Sequence, residues 1–585
     1  MPEARCLLAL SLALLGCGRP KPQDSVLPLA EEFVYSSLAF SPVAATQVGY
    51  HQHQGRNLDE LLDEITPAAL EQQRGFYRDF AQRLAKIQPE RLTPQDRADY
   101  EILTGQVALV LLDLEKIQSY RHNPTLYVEL IGNALFTPYA VEYAPLAKRV
   151  DHITARLKQV PGFLERARGM LADSPDIWTT VAVQENQGNT ELIDNTIRAK
   201  TPEAQRAAYD AAAGPALEAL RRFNAFLKDD LSKRPSDWRL GAERFAEKFR
   251  HTLGTDLTPD QVLAAAEERL NTVRAQMLER ARPLHRQWFP RHPEHPELNV
   301  TVSEVLGRIA ARHATPESYM PDARRDLQEA REFTGAAGLL ALPPRDNLQV
   351  IETPEFMRGI YAVGGFMPAP PLEPELGAFY WVTPIPKDWP KARIESKLRE
   401  YNFFKLKLLT IHEAVPGHYV QFEYAAGVEP KARRLLRSVY GNGPYVEGWA
   451  QYATQAVLEA GYLDHSPELR LTFEKEELRV VANAILDIRL HTRGMRDQQA
   501  LDLMIQETFQ ETEEATAKLR RAKLSFCQLP TYFVGWRDWL RVRDHCRRAQ
   551  GAAFQARQFH EQALKQGAVP LPALARLLAG TALGH

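Results

Sequence analysis

The chain has few cysteines, almost no charge imbalance and no long apolar run, and each of these absences excludes a class of protein. Four cysteines among 585 residues are too few for a disulfide-rich framework. A formal net charge of −2 leaves no basic excess to neutralise phosphates, which argues against nucleic-acid binding. The sequence also lacks internal repeats and low-complexity tracts, so a repeat architecture is not expected. What remains is a long chain of ordinary composition, 44% apolar, that can bury a large core.

The N-terminus carries a short apolar run, from Leu7 to Leu15, that is too short to span a bilayer. The run ends in Leu14-Leu15-Gly16-Cys17, which resembles the site cleaved before a lipid-modified cysteine in bacterial lipoproteins. We therefore predict an export signal over residues 1–17, a lipid anchor at Cys17 and a tether over residues 18–29. The protein is then expected in the cell envelope or periplasm, held at the membrane by lipid. A plain secretory signal with an incidental cysteine is the alternative.

Two cysteines, Cys527 and Cys546, remain once Cys6 and Cys17 are assigned to the signal. In an oxidising compartment they can form a disulfide, or they can stay as two buried free thiols. Their spacing does not decide between these states.

Helical periodicity dominates the rest of the chain. Apolar residues recur at helical spacing in segments 97–117, 145–171, 203–228, 258–283, 390–412, 467–494 and 551–565. Thr258-Pro259-Asp260-Gln261 has the residues of a capping box, and Ser466-Pro467-Glu468 is a similar start signal. Within the helix that Ser466 begins, the acidic residues Glu474, Glu476 and Glu477 are expected to form a solvated face.

Two segments, 347–352 and 378–383, are rich in aromatic and β-branched residues and predict strands. The Pro/Gly-rich passage 364–371 between them is expected to be a structured loop. The chain therefore predicts a mostly α fold with a small β-sheet just before the segment that contains His412.

The strongest chemical signal is His412-Glu413-Ala414-Val415-Pro416-Gly417-His418, followed 29 residues later by Glu447. Two imidazoles and a distant carboxylate are a ligand set for a catalytic Zn²⁺ that keeps one position open. Glu413 stands where a general base would take a proton from water. We therefore predict one zinc ion, held by His412, His418 and Glu447. The alternative is an accidental His/Glu pair near the end of a helix.

The spacing of the two histidines requires a break in the helix. Six residues apart on a continuous helix, His412 and His418 would lie on different faces. Pro416 lacks an amide hydrogen and its ring would clash with the carbonyl of His412, while Gly417 tolerates unusual backbone geometry. A local opening across residues 414–417 is therefore expected to return His418 to the side of the metal.

These motifs, together with Phe559-His560-Glu561 and Gly567-Ala568-Val569-Pro570-Leu571, resemble the bacterial domain-of-unknown-function 885 family over roughly residues 30–580. That family is similar to the helical zincin metallopeptidases, although the six-residue histidine spacing departs from theirs. The resemblance implies a large helical ellipsoid with a deep cleft and the metal at its bottom. Pro290, Pro293 and Pro296 interrupt the helical pattern and predict a boundary near residue 300, between an N-terminal helical region, 30–300, and a zincin-like catalytic region, 301–585, that are expected to share one core.

The resemblance also implies roles for residues outside the motif. Tyr532 is expected to stabilise an oxyanion, and His491 to act in catalysis with Asp487 behind it. The strand segment Phe379-Tyr380-Trp381 is expected to be an edge strand that pairs with the backbone of a peptide substrate. For Tyr532 and the strand ordinary core packing is the alternative, and for Asp487 and His491 the alternative is a partly exposed pair on a long helix.

Three functions follow from these residues. The leading expectation is an exported zinc metallopeptidase that cleaves short peptides with Glu413 as general base. A zinc amidase or esterase would use the same chemistry on a substrate that is not a peptide. The third is a lipoprotein that binds peptides or partners and uses zinc structurally, which normally needs a fourth protein ligand.

Overall fold

The computed structural model describes residues 25–292, 295, 297–358, 363–581 and 583. The predicted signal, Cys17 and residues 18–24 of the predicted tether lie outside this range. The last residues of that tether are folded, since a helix begins at Leu27 and Val26 is buried. In the part of the chain that is described, no helix is both long and apolar enough to cross a membrane.

Helices make up 72% of the structure, which confirms the predicted mostly α fold. In the first half of the chain the α-helices are α1 (Leu27–Phe40), α2 (Pro42–Gln47), α3 (Pro67–Leu84), α4 (Pro94–Leu112), α5 (Ser119–His122), α6 (Thr125–Ala140), α7 (Leu146–Met170), α8 (Asp176–Glu191), α9 (Arg198–Lys200), α10 (Glu203–Asp229), α11 (Ala242–Leu253), α12 (Pro259–Trp288), α13 (Leu298–Ala310) and α14 (Tyr319–Ala336). In the second half they are α15 (Lys391–Glu400), α16 (Phe403–Glu413), α17 (His418–Ala425), α18 (Lys431–Val439), α19 (Gly443–Glu459), α20 (Pro467–Thr492), α21 (Asp497–Asp502), α22 (Thr512–Leu524), α23 (Pro530–Gln550), α24 (Ala556–Leu564) and α25 (Leu571–Ala579).

The predicted start signals cap helices as expected. Thr258 and Gln261 form a capping box at α12, and the Ser466 side chain accepts a hydrogen bond from the Leu469 amide at α20. The predicted helix 390–412 is instead two helices, α15 and α16. Asn402 separates them, because its side chain accepts hydrogen bonds from the amides of Phe404 and Lys405 and so starts a new helix.

One hydrophobic cluster contains buried side chains from α1 through α25, and no break in it marks residue 300. Ala281 in α12 and Val302 in α13 both belong to this cluster. A second cluster lies mainly among α6, α7, α8 and α10, and it includes Phe379 and Trp381 from the sheet. Burial of this extent is the dominant stabilising contribution in a chain of this length.

The solvated acidic face predicted for α20 is wrong. Glu474 and Glu477 are buried, and Glu476 is nearly so, because α20 packs against α12, α16 and α23. Each carboxylate pairs with a cation: Glu474 lies 2.5 Å from Arg280, Glu477 lies 2.5 Å from Arg269, and Glu476 contacts Lys405. Carboxylates in such an interior require partners of this kind.

The small sheet near the motif has three strands, β3 (Leu348–Glu352), β4 (Gly364–Met367) and β5 (Ala378–Val382), after a separate hairpin of β1 (Gln52–His53) and β2 (Arg56–Asn57). The strand order is β3-β5-β4, with β3 parallel and β4 antiparallel to β5. Strand β4 falls in the passage predicted to be a loop, because its backbone pairs with β5. Tyr380 of β5 lies behind α16, its hydroxyl 3.2 Å from Thr410 Oγ1.

Candidate metal centre

The structure brings His412, His418 and Glu447 to one point. One nitrogen or oxygen from each side chain lies within 4.8 Å of the other two. Oε2 of Glu447 is 3.7 Å from Nε2 of His412 and 3.5 Å from Nε2 of His418. Among the residues that the structure describes, no further histidine, cysteine or acidic side chain joins this group.

The two histidines meet because the chain turns back between α16 and α17. Helix α16 ends at Glu413, Ala414 leaves helical geometry, and α17 begins at His418. The Gly417 amide donates a hydrogen bond to the carbonyl of Ile411 at 3.0 Å, which closes the turn across six residues. A Cβ on Gly417 would lie 1.9 Å from the carbonyl oxygen of His412, so only glycine allows this approach. The opening expected across residues 414–417 is present.

Two buried side chains hold the turn and orient His418. The indole Nε1 of Trp449 donates to the carbonyl oxygens of Pro416 at 2.9 Å and Gly417 at 3.3 Å. Oε1 of Gln421 lies 3.4 Å from Nδ1 of His418, which directs Nε2 of the ring toward Glu447. A partner on the second ring nitrogen is a common feature of histidines that bind metals.

A close contact between two helices places Glu447 beside Tyr532. At Gly448 of α19 and Gly535 of α23 the backbones touch, since a Cβ on Gly448 would lie 2.3 Å from the Gly535 carbonyl carbon. Glu447 precedes the first glycine, and Tyr532 lies one turn before the second. The Tyr532 ring consequently stacks near the His412 ring, with 6.5 Å between centroids.

The electrostatics of the group are those of a desolvated carboxylate between two imidazoles. Burial alone would raise the pKa of Glu447, but His412 and His418 outweigh it and hold the pKa well below its usual range. Burial opposes protonation of His418, yet Glu447 raises the pKa of that imidazole. Burial, with the nearby charge of Glu447, raises the pKa of Tyr532 to about 12, so its hydroxyl keeps its proton.

This donor set fits a divalent cation. Oε2 of Glu447 is buried without a hydrogen-bond partner among the described residues, although an orphaned buried carboxylate oxygen is costly. The two imidazole nitrogens that face it are the ligands that zinc prefers.

A cavity of about 530 Å³ opens beside the group, and His412, Glu413 and Tyr532 lie on its wall. Glu413 therefore faces this cavity. Gly364 and Thr383, from the β4 side of the sheet, line the same cavity. The predicted general base and the predicted oxyanion donor thus share one chamber.

His491 and Asp487 are not brought to this group, and their predicted roles lack support from their positions. The imidazole Nε2 of His491 lies 3.3 Å from the carbonyl of Ala522 and 3.1 Å from that of Ser525. Burial lowers the pKa of His491 to about 4, although these two hydrogen bonds act to raise it. The ring is therefore neutral. Asp487 accepts a hydrogen bond from the Cys527 amide at 2.8 Å, and burial raises the pKa of its carboxyl to about 8.

The predicted substrate strand Phe379-Tyr380-Trp381 is the central strand of its sheet, not an edge strand. Strand β5 uses one side for β3 and the other for β4, so it has no free edge to pair with a peptide. Alternation alone does not distinguish central from edge strands. The side chains are buried, as the packing alternative requires. The edge strand beside the cavity is β4, through Gly364.

Several residues of the centre were missed by sequence reasoning. Gln421 follows His418 at helical spacing and was a detectable signal for a side chain that orients the ring. The pairing of Gly448 with Gly535 depends on tertiary contact and left no local signal. Cys527 and Cys546 are buried free thiols, which resolves that alternative, and neither joins the group.

Comparisons with known proteins place the chain in a family without a stated activity. No match was found among curated proteins. A solved structure of a candidate lipoprotein of unknown function from Shewanella oneidensis is similar with a TM-score of 0.78 and 27% identity, covering 95% of this chain and all of that one. A candidate lipoprotein from Colwellia psychrerythraea shares the fold, with a TM-score of 0.76, 18% identity and coverage of 94% and 98%.

The family model described as "Bacterial protein of unknown function (DUF885)" matches residues 42–578. This match confirms the family that the motifs resemble, whereas the likeness to zincins is not tested by it. The chain belongs to the DUF885 family of bacterial proteins.

Proposed function

We propose that this protein is an exported zinc-dependent hydrolase, and specifically a metallopeptidase that cleaves short peptides. The observation that carries the proposal is the convergence of His412, His418 and Glu447 beside a cavity that His412 and Glu413 line. Three protein ligands beside an open chamber are the arrangement of a catalytic rather than a structural zinc site. When bound there, zinc would supply Lewis acidity toward a carbonyl oxygen and an attacking water.

The side chains around the cavity account for the remaining chemistry. Glu413 accepts the proton of the attacking water and returns it to the leaving nitrogen. Tyr532 donates its hydroxyl hydrogen to the developing oxyanion, and its raised pKa keeps that hydrogen in place. The outer edge of β4, which no other strand of the described residues covers, lies beside the cavity and would pair with a substrate backbone, the role first expected of β5.

The test is zinc analysis combined with peptide hydrolysis. Glu413→Gln should keep one zinc per chain and lose about 10²–10⁴-fold of the hydrolysis rate, since it removes only a proton acceptor. Glu459→Gln is the matched control, because that glutamate lies at the exposed end of α19 and pairs with Arg543. Full hydrolysis by Glu413→Gln would refute the role of Glu413, and wild-type protein that binds no zinc would refute the metal site.

A mixture of defined peptides followed by mass spectrometry distinguishes peptide cleavage from amidase or esterase activity on other substrates. The structural-lipoprotein alternative predicts a zinc with four protein ligands. The described residues supply three, which favours the hydrolase.

Export and anchoring form a separate part of the proposal. The lipobox-like Leu14-Leu15-Gly16-Cys17 supports a lipid anchor, as does the similarity to candidate lipoproteins. Cys17→Ser should abolish incorporation of labelled fatty acid and release the protein from membranes; retained label in that variant would refute the anchor at Cys17.

A further inference from the structure

We infer that the cavity binds a carboxylate of its substrate at Lys518 and Arg521, and that this carboxylate is the free C-terminus of a short peptide. The inference rests on the proposed function, because it assigns the substrate class of the same cavity. It makes the protein a carboxypeptidase-like enzyme that recognises the C-terminal end of a peptide substrate.

Lys518 carries the first part of the argument. It lies on α22, lines the cavity, and is only 5% exposed. Within the described residues its ammonium makes no hydrogen bond and has no acidic group at ion-pair distance. A buried amine without a hydrogen-bond partner is costly in a protein interior, and its charged form is more costly still. A lysine kept in this condition on the wall of a substrate cavity points to an anion that comes with the substrate.

The neighbouring lysines show that this condition is particular to Lys518. Lys523, on the same helix and the same cavity wall, lies 2.7 Å from Asp497. Lys405 contacts Glu476, and Lys397 lies 3.8 Å from Glu514. An acid therefore lies within ion-pair distance of each of these lysines, whereas Glu514 and Glu476 act on Lys518 only from farther away.

The surrounding charges leave a local excess of positive charge. Arg479 is shared between Glu476 at 3.1 Å and Glu514 at 2.9 Å, and these two acids also serve Lys405 and Lys397. Glu400 also acts on these three cations and pairs with Lys475 at 2.7 Å, so three carboxylates face four cations before Lys518 is counted. Burial first, and then Arg479 and Arg521, lower the pKa of Lys518 well below its usual range. A bound anion would reverse both effects and restore the ammonium.

Lys518 and Arg521 together form a cationic wall of the cavity, and Arg521 brings this wall close to the proposed metal ligands. Its guanidinium donates to Oε1 of Gln528 at 3.1 Å and to the Tyr532 hydroxyl at 3.4 Å. The ring of Tyr532 in turn stacks near His412. One tyrosine side chain therefore separates the cationic wall from the metal ligands. A substrate carboxylate bound there would therefore lie close to the bond that is cleaved.

A chain end explains this placement better than an acidic side chain does. Every short peptide carries a terminal carboxylate, so a fixed cation next to the reacting centre selects for a bond near the end of the chain. An acidic side chain, in contrast, is present only in particular peptide sequences, so a site for it would bind only those peptides. Both sources present the same carboxylate chemistry, and peptides distinguish them.

The experiment compares N-acetylated peptides of one sequence that end in a free acid or an amide, each with Glu or Gln near the end. We expect zinc-loaded wild-type protein to prefer the free acid by about tenfold or more in kcat/KM, the range for a hydrogen bond to a charged group. Lys518→Met should remove this preference, through a higher KM for the free acid. Lys523→Met is the matched control and should keep the preference. Thermal unfolding verifies that each variant is folded.

The outcomes separate this inference from the proposed function. Equal cleavage of acid and amide, or an unchanged preference in Lys518→Met, overturns the inference while hydrolysis stands. A preference that follows Glu over Gln and ignores the terminus overturns the chain-end assignment. If wild-type protein hydrolyses neither peptide, the proposed function fails. Calorimetric measurement of binding of the same peptides then tests the carboxylate site without hydrolysis. Tighter binding of the free acid than of the amide, lost in Lys518→Met, supports the site. Equal binding of the two peptides refutes it.

Discussion

Gly417→Ala is the substitution that tests how the metal centre is built. The added Cβ would lie 1.9 Å from the carbonyl oxygen of His412 and 2.4 Å from that of Ile411. Both contacts are with backbone, so no side-chain rotation relieves them. Real Cβ contacts are not found below 3.0 Å, so the turn must open by more than 1 Å at His412.

That displacement falls between His412 and His418, two of the three proposed zinc ligands. Metal–ligand distances tolerate changes of about 0.2 Å, and His418 is the residue next to the substitution. We expect the affinity for zinc to fall by at least about 10–100-fold, as for other changes that misplace a ligand. Forcing extra volume into a packed interior should also cost about 1–3 kcal/mol of stability.

The assay is competition for zinc against a chelator, together with denaturant unfolding of the metal-free protein. Gly427→Ala is the matched control, because its Cβ would meet the Tyr424 carbonyl at 3.4 Å, an ordinary contact. Wild-type zinc affinity and wild-type stability in Gly417→Ala would refute the account of how His412 and His418 meet.

Two further predictions concern Tyr532 and Asp487. Tyr532→Phe should keep zinc and KM but lower kcat by about 10²–10³-fold, the usual effect of removing an oxyanion donor; an unchanged kcat would refute that role. Asp487 keeps its proton in the folded protein up to about pH 8, whereas the unfolded chain releases it near its ordinary pKa of 3.8. Its contribution to stability is therefore present at low pH and is lost as the pH rises from about 4 to 8, by at most about 6 kcal/mol. Asp487→Asn should be more stable than wild type at pH 8 and similar at pH 4.5 in urea unfolding. Parallel profiles for the two proteins would contradict the raised pKa.

Local signals in the sequence predicted the helices well and their interruptions less well. The capping residues Thr258 and Ser466 act within one turn, so their effect is visible in sequence. Asn402 was overlooked inside a continuous helical pattern, although its side chain starts a new helix there. The carboxylates of α20 were misjudged because their partners, such as Arg280 and Arg269, come from a distant helix.

The sequence by itself determined the donor set and the need for a break between His412 and His418, because ligand chemistry and the covalent limits of proline and glycine are local properties. Only the tertiary structure decided that Glu447 and Tyr532 reach the same point, since that depends on the contact of Gly448 with Gly535. It also decided that His491 lies elsewhere and that β5 is a central strand. Lys518 emerged in the same way, because whether a buried charge has a partner depends on residues far away in the chain.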